Sequence, residues 1–135
     1  MANDSEHTIF DAVRDASAGP VEPVRLKESD GFCFHCHPDV ACWNVCCHGA
    51  DVTLTPYDIL SLCRRLEIKA ADFLARFTAP AIWGPAGLPV AKLRMEGAEG
   101  KGPCSFMIEA GCTVYADRPA TCRYYPLGFG SFKTK

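Results

Sequence analysis

A short stretch of the chain, residues 33–48, carries five cysteines and three histidines. Thiolate and imidazole are the side chains with which proteins bind zinc, iron and other soft or borderline metals. The packing of an ordinary core requires no such density of thiols and imidazoles. The stretch therefore predicts part of a metal site. Its candidate ligands are Cys33, Cys36, Cys42, Cys46 and Cys47, with His48 as the best candidate among the histidines. His35 and His37 are expected at the surface or in the outer shell of the site.

Three further cysteines, Cys104, Cys112 and Cys122, lie in the second half of the chain with seven and nine residues between them. Two short β-prone runs flank the turn at Gly111, which predicts an antiparallel hairpin that brings Cys104 and Cys112 close together. Residues 120–123 predict a single helical turn that carries Cys122. We expect these three thiols to complete the site.

The number and setting of the cysteines indicate a reducing compartment. Nine cysteines cannot all pair within one chain, and the N-terminus lacks the basic patch and apolar run of a secretory signal. We therefore expect a cytoplasmic protein, where clustered cysteines are more often metal ligands or redox thiols than disulfides. A disulfide-rich secreted domain is the less favoured alternative.

Cys63, within the apolar face of a predicted helix, is expected to be a buried structural thiol.

Charge and hydropathy exclude two classes of partner. The net charge is -2, and acidic and basic residues are mixed without a long run of either sign, which gives no electrostatic case for nucleic acid. No apolar run reaches the roughly 20 residues that a helix needs to span a bilayer. We expect neither a nucleic-acid partner nor a membrane partner.

The elements that position these residues predict one small domain. Residues 1–30 are polar and predict a flexible N-terminal arm, and residues 31–135 predict a cysteine-cluster metal-binding domain. The cysteine stretch is expected to be an irregular loop, because each ligand must turn back toward one point. The apolar side chains of this stretch are expected to form a shell that keeps solvent off the metal: Phe32, Phe34, Val40, Trp43 and Val45.

The regular elements are short. Thr55, Pro56 and Asp58 predict a helix start, and a second helix is predicted over residues 71–77. Residues 78–89 are rich in proline and glycine and predict a loop, followed by a strand over residues 90–95 and another over residues 127–132. The predicted fold class is α+β: a small irregular metal-stabilised domain with a cysteine-rich loop, two short helices and an antiparallel hairpin sheet.

The complete motif resembles a known family. It reads C-x5-C-x3-C-C, then L-T-P-Y-D-I-L, then P-C-x-F and G-C-x-V-Y-x-x-R-P-x-x-C-R-x-x-P, and it covers residues 36–126. This pattern resembles the bacterial YkgJ-like cysteine-cluster family, the CxxCxxCC zinc- or iron-chelating domain. The chain departs from the short form of that motif in its first half, where five and three residues replace gaps of two.

The resemblance implies a ligand set and a cofactor. The matching ligands are Cys36, Cys42, Cys46, Cys47, Cys104, Cys112 and Cys122. One zinc or one [4Fe–4S] cluster takes four protein ligands, so seven thiols leave open two centres, or one centre with additional thiols. Adjacent cysteines do not easily chelate one zinc together. Ligand number and softness favour an iron–sulfur cluster over zinc.

Several functions stay open at this point. An iron–sulfur protein with a redox or accessory role is favoured, and a structural zinc module that binds a partner protein is the alternative. One branch of the family is similar to the flagellin lysine N-methylase, which leaves an enzyme as the third alternative, although no catalytic residue is evident. Arg118 and Arg123 are near the last cysteines, where positive charge lowers thiol pKa values and stabilises an anionic cluster. Any protein partner is unidentified.

Overall fold

The computed structural model describes residues 24–127, which divide into two compact units, residues 24–43 and residues 44–127. The predicted arm, residues 1–30, lies mostly outside the described residues, and so does nearly all of the strand predicted over residues 127–132. Both stay predictions. No helix within residues 24–127 is long and apolar enough to cross a bilayer.

Helix α1 (Pro56–Leu66) begins where the sequence predicts. The Thr55 hydroxyl accepts a hydrogen bond from the Asp58 backbone N–H at 3.1 Å, and the Asp58 carboxylate accepts one from the Thr55 N–H at 2.8 Å. This reciprocal pair satisfies two backbone donors that a helix start leaves without partners. The helix ends at Glu67, which adopts the left-handed conformation with φ 54°.

Helix α2 (Ala70–Phe77) follows directly and contributes the centre of the core. Phe73 is fully buried, and its ring lies 5.5 Å from that of Phe77, which in turn lies 5.0 Å from Phe106. Leu62 of α1 is also fully buried, and Cys63 is buried in the same core, as predicted. The core residues are Val52, Leu54, Leu62, Cys63, Phe73, Leu93, Met95, Phe106 and Val114.

A three-stranded antiparallel sheet lies beside these helices. Strands β1 (Thr53–Leu54), β2 (Thr78–Trp83) and β3 (Leu88–Leu93) are arranged in the order β1-β3-β2. The loop predicted over residues 78–89 is therefore wrong for its first six residues and its last two. Strands β2 and β3 form a regular hairpin whose turn contains Gly84 and Gly87, both with positive φ.

Register explains why two prolines are compatible with this hairpin. The Arg94 N–H donates to the Phe77 carbonyl, so the even-numbered residues of β3 form their backbone hydrogen bonds with β2. The Leu93 N–H donates to the Val52 carbonyl, so the odd-numbered residues form theirs on the side of β1. The nitrogen of Pro80 therefore faces the edge of β2 that is opposite β3, which no other strand within residues 24–127 pairs with. The nitrogen of Pro89 faces the side on which β1 lies, but β1 has only two residues and pairs with Ala91 and Lys92, so it does not reach Pro89. Neither position needs the N–H that proline lacks.

The C-terminal part contains the second predicted hairpin. Strands β4 (Met107–Ile108) and β5 (Gly111–Cys112) pair in antiparallel fashion, and helix α3 (Ala120–Tyr124) forms the helical turn predicted at residues 120–123. These elements confirm the predicted α+β class, with α3 as a third short helix. Stabilisation of the fold by metal stays a prediction.

Residues 24–43 contain turns and no helix or strand. Val40 N–H donates to the His37 carbonyl at 3.1 Å, and Trp43 N–H donates to the Val40 carbonyl at 3.0 Å. The irregular loop predicted for the cysteine stretch is confirmed here.

Candidate metal centre

Cys46 and Cys47 lie on a single 3-10 turn, Val45–Cys47. Asn44 precedes the turn in the left-handed conformation, with φ 60°. Its side-chain amide is 3.4 Å from the carbonyl oxygens of both Ile108 and Glu109, which connects the turn to the β4–β5 hairpin. The two Sγ atoms are 3.9 Å apart. Adjacent thiols therefore point into the same region.

Backbone pairing holds Cys104 beside this turn. The Cys104 N–H donates to the Cys47 carbonyl at 2.7 Å, and the Gly49 N–H donates to the Gly102 carbonyl at 2.9 Å. The segment that leads to Cys104 belongs to a closed loop, because Glu96 N–H donates to Pro103 C=O at 2.8 Å. Two regions of the chain that are far apart in sequence are thus joined at the cysteines themselves.

Cys112 and Cys122 complete the set in residues 44–127. Cys112 pairs with Met107 across the β4–β5 hairpin, and Met107 N–H donates to the Cys104 carbonyl at 2.9 Å. Cys122 lies in α3, whose first backbone N–H, that of Ala120, donates to the Asp58 carboxylate at 3.1 Å. Cys104, Cys112 and Cys122 are each half-buried against the core.

The thiols are near enough to affect one another's protonation. The pKa of Cys122 is raised to about 12, first by burial and then by the nearby Cys104, Cys112 and Cys46. Burial also raises the pKa of Cys104, with an additional contribution from Cys112. The hydrogen bond between Cys46 and Cys47 lowers the pKa of Cys47 and raises that of Cys46. Five thiols therefore form one electrostatically coupled group.

One cation opposes these increases. The Arg118 guanidinium lowers the pKa of both Cys46 and Cys122. Its Nε donates to the Tyr115 carbonyl at 2.9 Å, and its Cζ lies 3.7 Å from the centroid of the Tyr115 ring. The charge that the sequence places near the last cysteines is thus held in position by Tyr115.

The donor set fits a thiolate-bound metal in its chemistry. Five cysteines from a 3-10 turn, a bridge segment, a strand and a helix lie in one coupled group, and soft thiolates are suitable ligands for zinc and iron. Within residues 24–127, no group of three or more His, Cys, Asp or Glu side chains is arranged around one point as metal ligands. The positions of these thiols therefore do not by themselves define a coordination geometry.

The other predicted ligands lie in the unit of residues 24–43. Cys42 is buried, Cys36 is half-buried and Cys33 is exposed. The rings of His35 and His37 stack with centroids 5.7 Å apart, and both stay predicted surface or outer-shell residues. The ligand roles of Cys36 and Cys42 also stay predictions.

Two further expectations concern the surroundings of the site. His48 is exposed, and its Nδ1 lies 2.9 Å from the Asn44 carbonyl. Of the residues expected to form an apolar shell, Val40 and Trp43 are half-buried. Phe32, Phe34 and Val45 are exposed, so the prediction is wrong for these three side chains. The reason is that the turns of the cysteine stretch direct these side chains outward, and no periodic pattern in an irregular loop predicts such directions.

Sequence reasoning missed two features that position the site. One is the pairing of residues 47–49 with residues 102–104, and the other is the bond between Asp58 and Ala120. The L-T-P-Y-D sequence indicates a helix cap at Asp58, but nothing in it indicates a second partner 62 residues later.

Comparison with known proteins gives one match. Neither curated proteins nor solved structures include a detectable relative of the chain. A family model described as "putative zinc- or iron-chelating domain" matches residues 35–134. That range includes all seven of the cysteines carried over from the motif, and it exceeds half of the chain. The chain therefore belongs to the CxxCxxCC family of metal-chelating domains.

Proposed function

We propose that the chain holds an iron–sulfur cluster through cysteine thiolates, most of them in the unit of residues 44–127, in a redox or accessory role. The observation that supports this proposal is the coupled group of five thiols, in which each member is half-buried. Membership of a zinc- or iron-chelating family supports metal binding in general. The proposed ligands in this unit are Cys46, Cys47, Cys104, Cys112 and Cys122.

The origin of the ligands favours a cluster. A structural zinc site is usually built from two short knuckles with two cysteines each. Here only Cys46 and Cys47 share a turn, and the other three thiols come from three different elements. An all-sulfur set suits iron–sulfur clusters, which are held by cysteine thiolates. Cys36 and Cys42 are further proposed ligands from the sequence motif.

Zinc is the second candidate, and one distance favours it. Two thiolates on a tetrahedral zinc, with Zn–S bonds of about 2.3 Å, lie about 3.8 Å apart. The Sγ atoms of Cys46 and Cys47 are 3.9 Å apart. The objection that adjacent cysteines do not easily share one zinc is therefore weaker than the sequence alone suggests.

Anaerobic purification followed by metal, acid-labile sulfide and absorption measurements tests the proposal. We expect a brown protein with a broad visible absorption band and nearly equal amounts of iron and sulfide. A colourless protein with stoichiometric zinc and no sulfide would exclude the cluster and support the second candidate. A protein that retains neither metal after reconstitution with iron and sulfide, or with zinc, would contradict both.

Cysteine variants test the ligand set. Cys122→Ser and Cys46→Ser are each expected to lose most of the bound metal, because serine is a harder and weaker ligand. Cys63→Ala is the matched control, because this cysteine lies in the apolar core outside the coupled group. It should retain wild-type metal content. If Cys46→Ser and Cys122→Ser both kept wild-type metal content, as Cys63→Ala should, neither Cys46 nor Cys122 would be a ligand.

A further inference from the structure

We propose that Asp58 is a positioning residue for the metal centre, because its carboxylate joins the start of helix α1 to the start of the short helix that carries Cys122. This inference rests on the proposed function insofar as Cys122 is a metal ligand. Asp58 itself has no place in the coordination shell.

The geometry of Asp58 is that of a shared cap. Its Oδ2 accepts hydrogen bonds at 2.8 Å from both the N–H and the hydroxyl of Thr55. Its Oδ1 accepts one at 3.1 Å from the N–H of Ala120, two residues before Cys122. The side chain is only 2% exposed. One buried carboxylate thus serves two helix starts.

Helix α3 depends on this remote acceptor. Its N-cap residue is Pro119, which has no polar side chain and makes no side-chain cap bond. A helix of five residues does not persist on its own, because nucleation is unfavourable and few bonds follow it. Fixing the first N–H of α3 therefore fixes the direction in which the side chain of Cys122 leaves the helix.

A second connection between the same regions is weaker. Arg65 Nε lies 3.8 Å from the Asp117 carboxylate, and the two side chains are 49% and 36% exposed. Such ion pairs contribute little because water screens them. A buried, charge-assisted bond from a carboxylate to a backbone N–H is stronger, and its loss leaves a polar group without a partner. Asp58 thus makes the stronger of these two polar connections.

The change Asp58→Asn separates the two sides of this cap. An amide has one acceptor oxygen, and the orientation that keeps both bonds to Thr55 turns its NH₂ group toward the Ala120 N–H. Two donors then face each other at the start of α3. We expect α1 to remain capped while α3 loses its anchor.

The first measurement uses Co²⁺ as a spectroscopic probe of thiolate ligation in the full chain. Asp58→Asn should lower the affinity for Co²⁺ by about 10- to 100-fold, the usual effect of losing a residue that orients a ligand. It should also weaken the sulfur-to-cobalt charge-transfer absorption at saturation, as expected for a lost thiolate. The control Asp72→Asn removes an exposed carboxylate from the first turn of α2 and should change neither quantity.

The second measurement does not depend on metal. In the metal-free full chain, the rate at which iodoacetamide modifies Cys122, relative to Cys112, should rise about tenfold in Asp58→Asn. Peptide mass spectrometry gives both rates in one sample. If the wild-type chain bound no metal at all, the proposed function would fail, yet this ratio would still test the positioning role. An unchanged ratio together with unchanged Co²⁺ affinity would overturn the inference.

A double-mutant cycle distinguishes loss of the Asp58–Ala120 hydrogen bond from general unfolding of the Asp58→Asn variant. Ala120→Pro removes the N–H donor and leaves Asp58 in place. Proline is compatible there because Ala120 is the first residue of α3 and Pro119 already has extended angles, φ -52° and ψ 152°. Ala120→Pro should raise the alkylation ratio as Asp58→Asn does, and adding Asp58→Asn should have little further effect on it. Fully additive effects would show that the Asp58–Ala120 bond is not the connection.

Discussion

Arg118 is the cation that affects the ionisation of the thiols Cys46 and Cys122. Its guanidinium lies over the Tyr115 ring and lowers the pKa of Cys46 and Cys122, while burial raises both. Several thiolates around one metal form an anionic centre, and a fixed cation nearby stabilises that charge. Arginine suits this position because it stacks on an aromatic ring and keeps its charge.

Replacement of Arg118 by glutamine should therefore make the thiols harder to ionise. We expect the pH midpoint for alkylation of Cys122 in the metal-free protein to rise, because the Arg118 charge lowers the pKa of this thiol. Arg118→Lys should keep most of the effect, since it keeps the charge. Arg76→Gln, on α2, is the control and should leave the midpoint unchanged. A midpoint that also stayed unchanged in Arg118→Gln would argue against this role.

At the scale of elements, the closed loop of residues 96–103 decides where Cys104 lies. Gly102 N–H donates to the Glu96 carbonyl at 2.7 Å, and the Gly102 carbonyl accepts from Gly49. A Cβ atom at Gly102 would overlap the carbonyl oxygen of Glu96, which is backbone and cannot move aside cheaply. The absence of a side chain is thus what allows this loop to close two residues before a thiol of the site.

Gly102→Ala is expected to disturb the pairing of Cys104 with Cys47. The free energy of unfolding should fall by about 1–3 kcal/mol, as for other overpacked substitutions, and metal content should fall with it. Gly31→Ala is the matched control, because a Cβ there would meet nothing within 4 Å and the residue has no positive φ. Urea unfolding and metal analysis of both variants measure the difference. Equal stability of the two would mean that the loop adjusts without cost.

Strand β2 lies at the edge of the sheet formed by the described residues, and Pro80 lies within it. Pro80 places no N–H on that edge, which limits the pairing of β2 with a strand of another chain. We expect Pro80→Thr to fold and to self-associate more strongly than the unaltered protein, as measured by light scattering across a concentration series. Pro85→Thr, in the turn between β2 and β3, should not. If neither variant associated, the edge would be protected by something other than Pro80.

At the scale of the whole chain, local chemistry was predictable and long-range pairing was not. The start of α1 and the hairpin at Gly111 follow from capping and turn residues that lie within a few positions of one another. The strand Thr78–Trp83 was missed because proline and glycine counts indicate a loop, whereas register decides whether a proline is tolerated. The bonds Cys104–Cys47 and Asp58–Ala120 join residues far apart in sequence, and no periodicity encodes them.

The coupled thiols also predict how the stability of the metal-free chain depends on pH. Cys122 has a pKa of about 12 in the folded chain against a usual value of 9.0. The unfolded chain therefore loses its proton first as pH rises, and the stability that the neutral thiol contributes is complete below pH 9.0 and lost between pH 9.0 and about 12. One thiol contributes a slope of at most about 1.4 kcal/mol per pH unit in that window.

Urea unfolding of the reduced, metal-free protein between pH 7 and pH 11 measures this dependence. We expect the free energy of unfolding to decline above pH 9, and Cys122→Ser to remove part of that decline, since serine does not ionise there. Metal affinity should change in the opposite direction and rise with pH over the neutral range, because binding displaces protons from the thiols. A decline of the same slope in Cys122→Ser would show that other groups cause it, and a metal affinity independent of pH would argue against thiolate ligation.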